Sequence, residues 1–168
     1  MKRAKTVAVT GLCVALALIL AYVEMLLPPL AAAIPGIKMG LPNVIIVFLL
    51  YRRGVRSAIG VSLLRILLVG MLFGNAMSLM YSLAGGVLSL LVMMGLRRID
   101  RLSVVGVSVA GAVAHNVGQI LTAMLLLDTT QLAYYLVVLT VTGTVAGILI
   151  GICGALLIRR IPENAING

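Results

Sequence analysis

The chain has 168 residues, of which 62% are hydrophobic and only 10% charged, and its mean hydropathy is +1.24. Soluble domains are near half apolar, with about a quarter of their residues charged, so this composition excludes a water-soluble globule and reads as an integral membrane protein. The formal net charge of +9 with no tryptophan does not point to nucleic acid, because no basic stripe is interleaved with aromatics and basic residues in a membrane protein record topology.

Six apolar segments follow one another, at about 6–27, 39–51, 55–73, 76–96, 103–126 and 131–158. No soluble domain fits between them, so the expected fold is a single all-α transmembrane domain over 1–168. The N-terminus, with the basic MKRAK before the first segment, resembles a signal peptide, but the apolar stretch is too long for one and no small-x-small cleavage site follows a short one. It reads as a retained spanning helix. Gly11 and Ala15, then Ala17 and Ala21, are each four apart on it, a spacing that lets helix backbones approach closely.

The link PPLAAAIPGIKMGLPN (28–43) holds four prolines and breaks helix. It is apolar for a solvated loop. It reads either as a lid over the outer mouth or as a segment lying at the interface. The second segment is short. The third carries Arg65 halfway along, in SLLRILLVG. A charge at that depth costs at least ~2.5–3.5 kcal/mol on insertion scales, so it must face the protein interior, a wet cavity or a partner. In the fifth segment VAHNVGQI (113–120) holds the one histidine of the chain. His115 and Gln119 are i, i+4, and Asn116 and Gln119 are i, i+3, so they form one polar patch at about the depth of Arg65. In the last segment Gly143, Gly147, Gly151 and Ala155 recur every four residues. Similar spacings join Ala110, Ala114 and Gly118, and Gly70 and Gly74. Packing within the chain and docking to another membrane protein both account for these stripes.

Eleven of the 13 basic residues fall before the first segment, between the second and third or at the very start of the third (Arg56), between the fourth and fifth, or after the sixth. The positive-inside rule then places both termini and two loops in the cytoplasm. The exceptions are Arg65 and Lys38, the latter at the outer start of the second segment. Glu24, near the outer end of the first segment, and Asp128 lie toward the external side. Two readings of the polar residues stay open. In one, His115, Asn116 and Gln119 bond between helices and fix their packing, while Glu24 pairs with Arg65 or Lys38. In the other, they line a pocket with Arg65, Asn75, Ser78 and Tyr81, and the ligand brings a polar or anionic group.

No G-x-x-x-x-G-K-[ST] is present, so no P-loop ATP hydrolysis is expected. The four acidic residues, Glu24, Asp100, Asp128 and Glu163, are scattered and offer no carboxylate cluster for Mg²⁺. No zinc spacing and no Ser/His/Asp set at matching depth is found. No enzyme, metal or cofactor is therefore expected. Cys13 and Cys153 read as free thiols packing as small apolar side chains.

The stretches GIKMGLPNVIIVFLLYRRGVRSAIGVSLLRILLVGMLFGN (36–75), MSLMYSLAGGVLSLLVM (77–93) and VGVSVAGAVAHNVGQI (105–120) resemble the bacterial membrane family called heptaprenyl diphosphate synthase component I, or Gx transporter family. The resemblance covers about residues 5–160. More distantly, the layout resembles the substrate-binding S components of energy-coupling factor (ECF) transporters, six-helix proteins with cytoplasmic termini and an outer pocket. The first resemblance implies a partner or anchor for a soluble prenyl synthase. Catalysis is not implied, since the aspartate-rich pairs of prenyl synthases are missing. The second implies a small-molecule binder in the bacterial cytoplasmic membrane, energised by a separate coupling protein and two ATPases. In that reading Arg65, His115, Asn116, Gln119, Asn75, Lys38 and Glu24 are the candidate ligand contacts, segment 28–43 is the gate, and Gly11, Ala15, Ala17 and Ala21 resemble the docking face of S components. A secondary transporter acting alone is a weaker alternative, because no pair of broken helices appears in matching halves.

Overall fold

A chain that must satisfy its backbone inside hydrocarbon, without closing a barrel, folds into helices. The computed structural model describes residues 2–26, 40–74 and 76–166, and among these every regular element is helical. The helices are α1 (Lys2–Leu26), α2 (Asn43–Arg52), α3 (Val55–Phe73), α4 (Ala76–Leu96), α5 (Val104–Leu127), α6 (Tyr135–Arg160) and a terminal turn, α7 (Glu163–Ile166). A 3₁₀ turn over Gln131–Tyr134 leads into α6. The expected all-α membrane bundle is thus what the chain forms. Five helices, of 19 to 30 residues counting the 3₁₀ turn, are long and apolar enough to cross a membrane.

The second segment differs from the others. α2 has 10 residues, which rise roughly 15 Å, about half of a hydrocarbon core. Six consecutive residues, Ile45 to Leu50, are buried, so this helix is enclosed on every side. It packs on α6 and α3. α5 lies between α4 and α6, and α4 also packs on α3, so α2 closes a ring made by α3, α4, α5 and α6. α1 lies outside that ring, mainly against α3.

Local signals set the ends. Ser103 caps α5 by accepting from the Gly106 N–H at 3.1 Å, and Asp128 ends it in a left-handed conformation at φ 47°. Gly54 joins α2 to α3 at φ +90°, a backbone that favours glycine.

The arginines meet at one end of the bundle. Arg53 Nη1 donates to Thr10 Oγ1 at 3.1 Å and lies near Thr6 O. Arg52 pairs with Glu163 at 3.0 Å and donates to Ile158 O. The Arg97 guanidinium lies 5.3 Å over the Tyr51 ring. The start of α1, the α2–α3 link, the end of α4 and the end of α6 therefore share one rim, as the distribution of basic residues requires.

Glycine stripes form the two tightest seams. A Cβ on Gly147 would lie 2.7 Å from Val109 Cα, and one on Gly151 2.7 Å from Val105 Cα. The α6 stripe is thus the α5–α6 seam. On the other side of α5, a Cβ on Gly118 would lie 2.9 Å from Ala84 O and from Gly85 Cα. Those stripes serve packing within the chain.

Candidate functional site

Three depths agree. Arg65 is ten residues into α3, roughly 15 Å above the basic rim, and His115 is eleven residues into α5, roughly 16 Å above it. Glu24 is fourteen residues beyond Thr10, which touches Arg53, and so stands roughly 21 Å above the rim. These three side chains, with Ala21, Ile66, Val69 and Ser82, line one small cavity between α1, α3, α4 and α5. It lies in the middle to outer part of the bundle.

α1 brings Glu24 there because Cys13, Ala17, Ala21 and Glu24 are buried at helical spacing along one stripe. Glu24 is only 8% exposed. Its Oε1 accepts from the backbone N–H of Gly40, just before α2. The same carboxylate acts electrostatically on Arg65. Arg65 is half-buried as a residue, but its Nε is fully buried and meets no hydrogen-bond partner among the described residues. His115 is buried beside it. Gly85 of α4 gives the histidine its room: a Cβ there would lie 2.7 Å from His115 O and 3.1 Å from the imidazole Cε1.

The polar patch read from VAHNVGQI divides. Asn116 turns away from the cavity and donates to Leu139 O of α6 at 2.7 Å; a Cβ on Gly143 would lie 2.6 Å from its Nδ2. Gln119 packs its stem over Gly85 and is not part of the described lining. Only His115 of the three reaches the cavity. Neighbours on a helix point about 100° apart, so His115 and Asn116 serve different partners. Asn75, Lys38 and most of segment 28–43 lie outside the described residues. Ser82 was not among the sequence candidates, although it is one helical turn from Ser78. That i, i+4 relation was the available signal.

The α1 candidates also divide. Ala17 and Ala21 are buried. Gly11 and Ala15 are exposed, and nothing lies within 4 Å of a Cβ on Gly11. Among the described residues no three His, Cys, Asp or Glu side chains come together as a metal site.

The cavity measures about 30 Å³. A water needs about 10–15 Å³ of such space, so it has room for a water or two. In this low-dielectric setting a guanidinium and a carboxylate stabilise each other only with further hydrogen bonds, and Arg65 has a buried N–H still to satisfy.

Fold and cavity together define a multi-pass membrane protein with a charged pair held inside its helices. The chain belongs to the family described as heptaprenyl diphosphate synthase component I, whose profile matches residues 13–157, nearly its whole length. No curated protein and no solved structure matches it.

Proposed function

We propose that the chain is a membrane-embedded substrate-binding subunit, of the S-component kind, for uptake of a small polar or anionic metabolite across the bacterial cytoplasmic membrane. Arg65 carries this reading. A membrane bundle that needed only to pack would have little reason to keep an arginine at mid-depth with a buried, unsatisfied Nε against a cavity. Arg65 supplies donors to the ligand's polar group, His115 and Ser82 add hydrogen bonds, and Glu24 holds the opposite wall. Lys38 and Asn75 remain candidate ligand contacts, and segment 28–43 the candidate gate, on the sequence alone. The chain binds and does not catalyse; energy comes from a separate coupling protein and its ATPases, which meet the exposed Gly11 and Ala15 of α1.

A screen of small metabolites by thermal stability tests the reading. A ligand that prefers the native state stabilises it by RT ln(1 + [L]/Kd), about 2.7 kcal/mol at 100 times Kd. Arg65→Ala should remain folded and lose that response. Unchanged affinity would remove Arg65 from the site.

A second reading is favoured by the family's own description. In it the chain is a non-catalytic membrane partner of a soluble prenyl diphosphate synthase, docked on the arginine-rich rim. Co-purification from the native membrane separates the two. Recovery of a coupling protein and ATPases supports uptake, and recovery of a soluble synthase without them supports the partner role.

A further inference from the structure

Orienting a chain in the membrane asks only for basic residues, lysine or arginine alike. Beyond the N-terminal run, the basic rim uses arginine every time, eight in all. What arginine adds is a planar fork of N–H donors that grips a phosphate with two parallel bonds. Five of the eight, Arg56, Arg98, Arg101, Arg159 and Arg160, are exposed, and none of the five forms an ion pair among the described residues. Of the rim's carboxylates, Glu163 is engaged by Arg52, which leaves Asp100 among five arginines.

Their height selects the partner. Arg56 is the second residue of α3, whose 19 residues rise roughly 28 Å, close to the thickness of a hydrocarbon core. Arg98 comes just after the end of α4, and Arg159 and Arg160 are the last residues of α6. These guanidinium groups therefore stand where the hydrocarbon gives way to headgroups. Two residues join α2 to α3 and seven join α4 to α5, so no long loop carries the charges out to a soluble partner. One place also offers a seat for an acyl chain. Gly151 of α6 packs on Val105, four residues after Arg101, and α6 runs on about two turns from there to Arg159. Beside its glycines, Ile148, Ile152, Ala155 and Arg159 recur at helical spacing on one flank. Ile148 is 40% and Ile152 45% exposed, which leaves an apolar strip with arginine at its end.

We propose that the basic rim is a binding surface for anionic phospholipid, with its best-formed seat at the rim end of the α5–α6 seam. Arg101 and Arg159 hold the phosphate there, and the acyl chain lies along the flank of α6. This is independent of what the cavity binds.

The test places the full chain in nanodiscs of phosphatidylcholine with graded fractions of phosphatidylglycerol and reads the melting midpoint. The midpoint should rise with the phosphatidylglycerol fraction, and added salt should shrink the rise. Arg101→Lys combined with Arg159→Lys keeps charge and topology but removes both forks. The phosphatidylglycerol fraction that gives half the rise should then increase about threefold or more, and Asp100→Asn should lower it. A midpoint indifferent to phosphatidylglycerol overturns the proposal and leaves the rim to a soluble partner. A double variant that responds like the unaltered chain overturns it too, because charge alone would then suffice. Inorganic phosphate added to pure phosphatidylcholine discs should have no effect; an equal rise would make this a site for a soluble anion and overturn the lipid. Should the double variant not fold, native mass spectrometry of the unaltered chain from mixed discs decides: it should retain phosphatidylglycerol over phosphatidylcholine, and equal retention overturns the proposal.

Discussion

Glu24 accepts a hydrogen bond from the backbone N–H of Gly40, 16 residues further along the chain, and by this contact α1 is fastened to the head of α2. The position matters because α2 begins in mid-bundle and the first N–H groups of a helix have no partner within it. Those of Asn43, Val44 and Ile45 are taken by the carbonyls of Gly40, Leu41 and Pro42 in a tight turn, at 2.8 to 3.1 Å. The Gly40 N–H is taken by Glu24. A carboxylate at that end also suits the helix dipole. Glu24→Ala should therefore leave an N–H unpaired and deprive Arg65 of a nearby opposite charge, a loss of about 2–3 kcal/mol given that Arg65 is only half-buried. Glu24→Gln keeps an acceptor for Gly40 and should lose less. Reversible unfolding in mixed micelles measures both, and equal losses would show that the charge, not the hydrogen bond, is what matters.

Asn116 and His115 predict opposite phenotypes despite being adjacent. Asn116→Ala removes the 2.7 Å bond to Leu139 O. Side-chain hydrogen bonds between membrane helices average about 0.6 kcal/mol and reach about 1.7 kcal/mol, so stability should fall within that range. Ligand response should be unchanged, because the side chain faces α6. His115→Ala, in the cavity wall, should weaken ligand response. Paired melting curves with and without ligand distinguish the two effects.

Much of this architecture was legible in the sequence, and for one physical reason: apolar runs of bilayer length are bounded by arginines and turn residues. Segment 55–73 coincides with α3 and 76–96 with α4. The α6 glycine stripe likewise gave away a close seam. Which face of each helix looks inward was harder to read, because these helices are apolar on all sides and carry no marked polar face. Hence Asn116 and His115 could be placed at one depth but not assigned to different neighbours. The half-length of α2 was hinted at by the short second segment. Its enclosure by other helices was not, since a run such as VIIVFLL suits lipid and protein equally.

The close approach of α4 to α5 should tolerate no added atoms. Gly85→Ala puts a methyl 2.7 Å from His115 O and Gly118→Ala one 2.9 Å from Ala84 O. Backbone cannot yield as a flexible side chain can, so each should cost about 1–3 kcal/mol. Gly85→Ala should also displace His115 and lower ligand response. Gly95→Ala is the control, since nothing lies within 4 Å of a Cβ there; it should be neutral or slightly stabilising. Thermal melts of the three variants check the order.

At the basic rim, Arg52 and Glu163 form an ion pair of unequal partners. The Glu163 side chain is 64% exposed and that of Arg52 18%. Exposed pairs contribute about 0–1 kcal/mol, so Glu163→Gln should change stability little. Arg52→Ala should cost more, because Arg52 also donates to Ile158 O and ties α2 to α6. A melting-point loss for Arg52→Ala at least twice that for Glu163→Gln is the expected result. Equal losses would mean that the bond to Ile158 O adds nothing beyond the ion pair.

The two faces of α1 make the sharpest contrast for docking. Ala17 is fully buried, so Ala17→Leu must force α1 away from the bundle and should reduce the yield of folded protein. Gly11 and Ala15 look outward, and a leucine at either should fold normally, because a larger apolar side chain is at home in lipid. If a coupling protein docks on this face, Gly11→Leu and Ala15→Leu should sharply lower its recovery in co-purification while ligand-induced stabilisation persists. Full recovery with both variants would move the contact elsewhere, with the arginine rim as the next surface to alter.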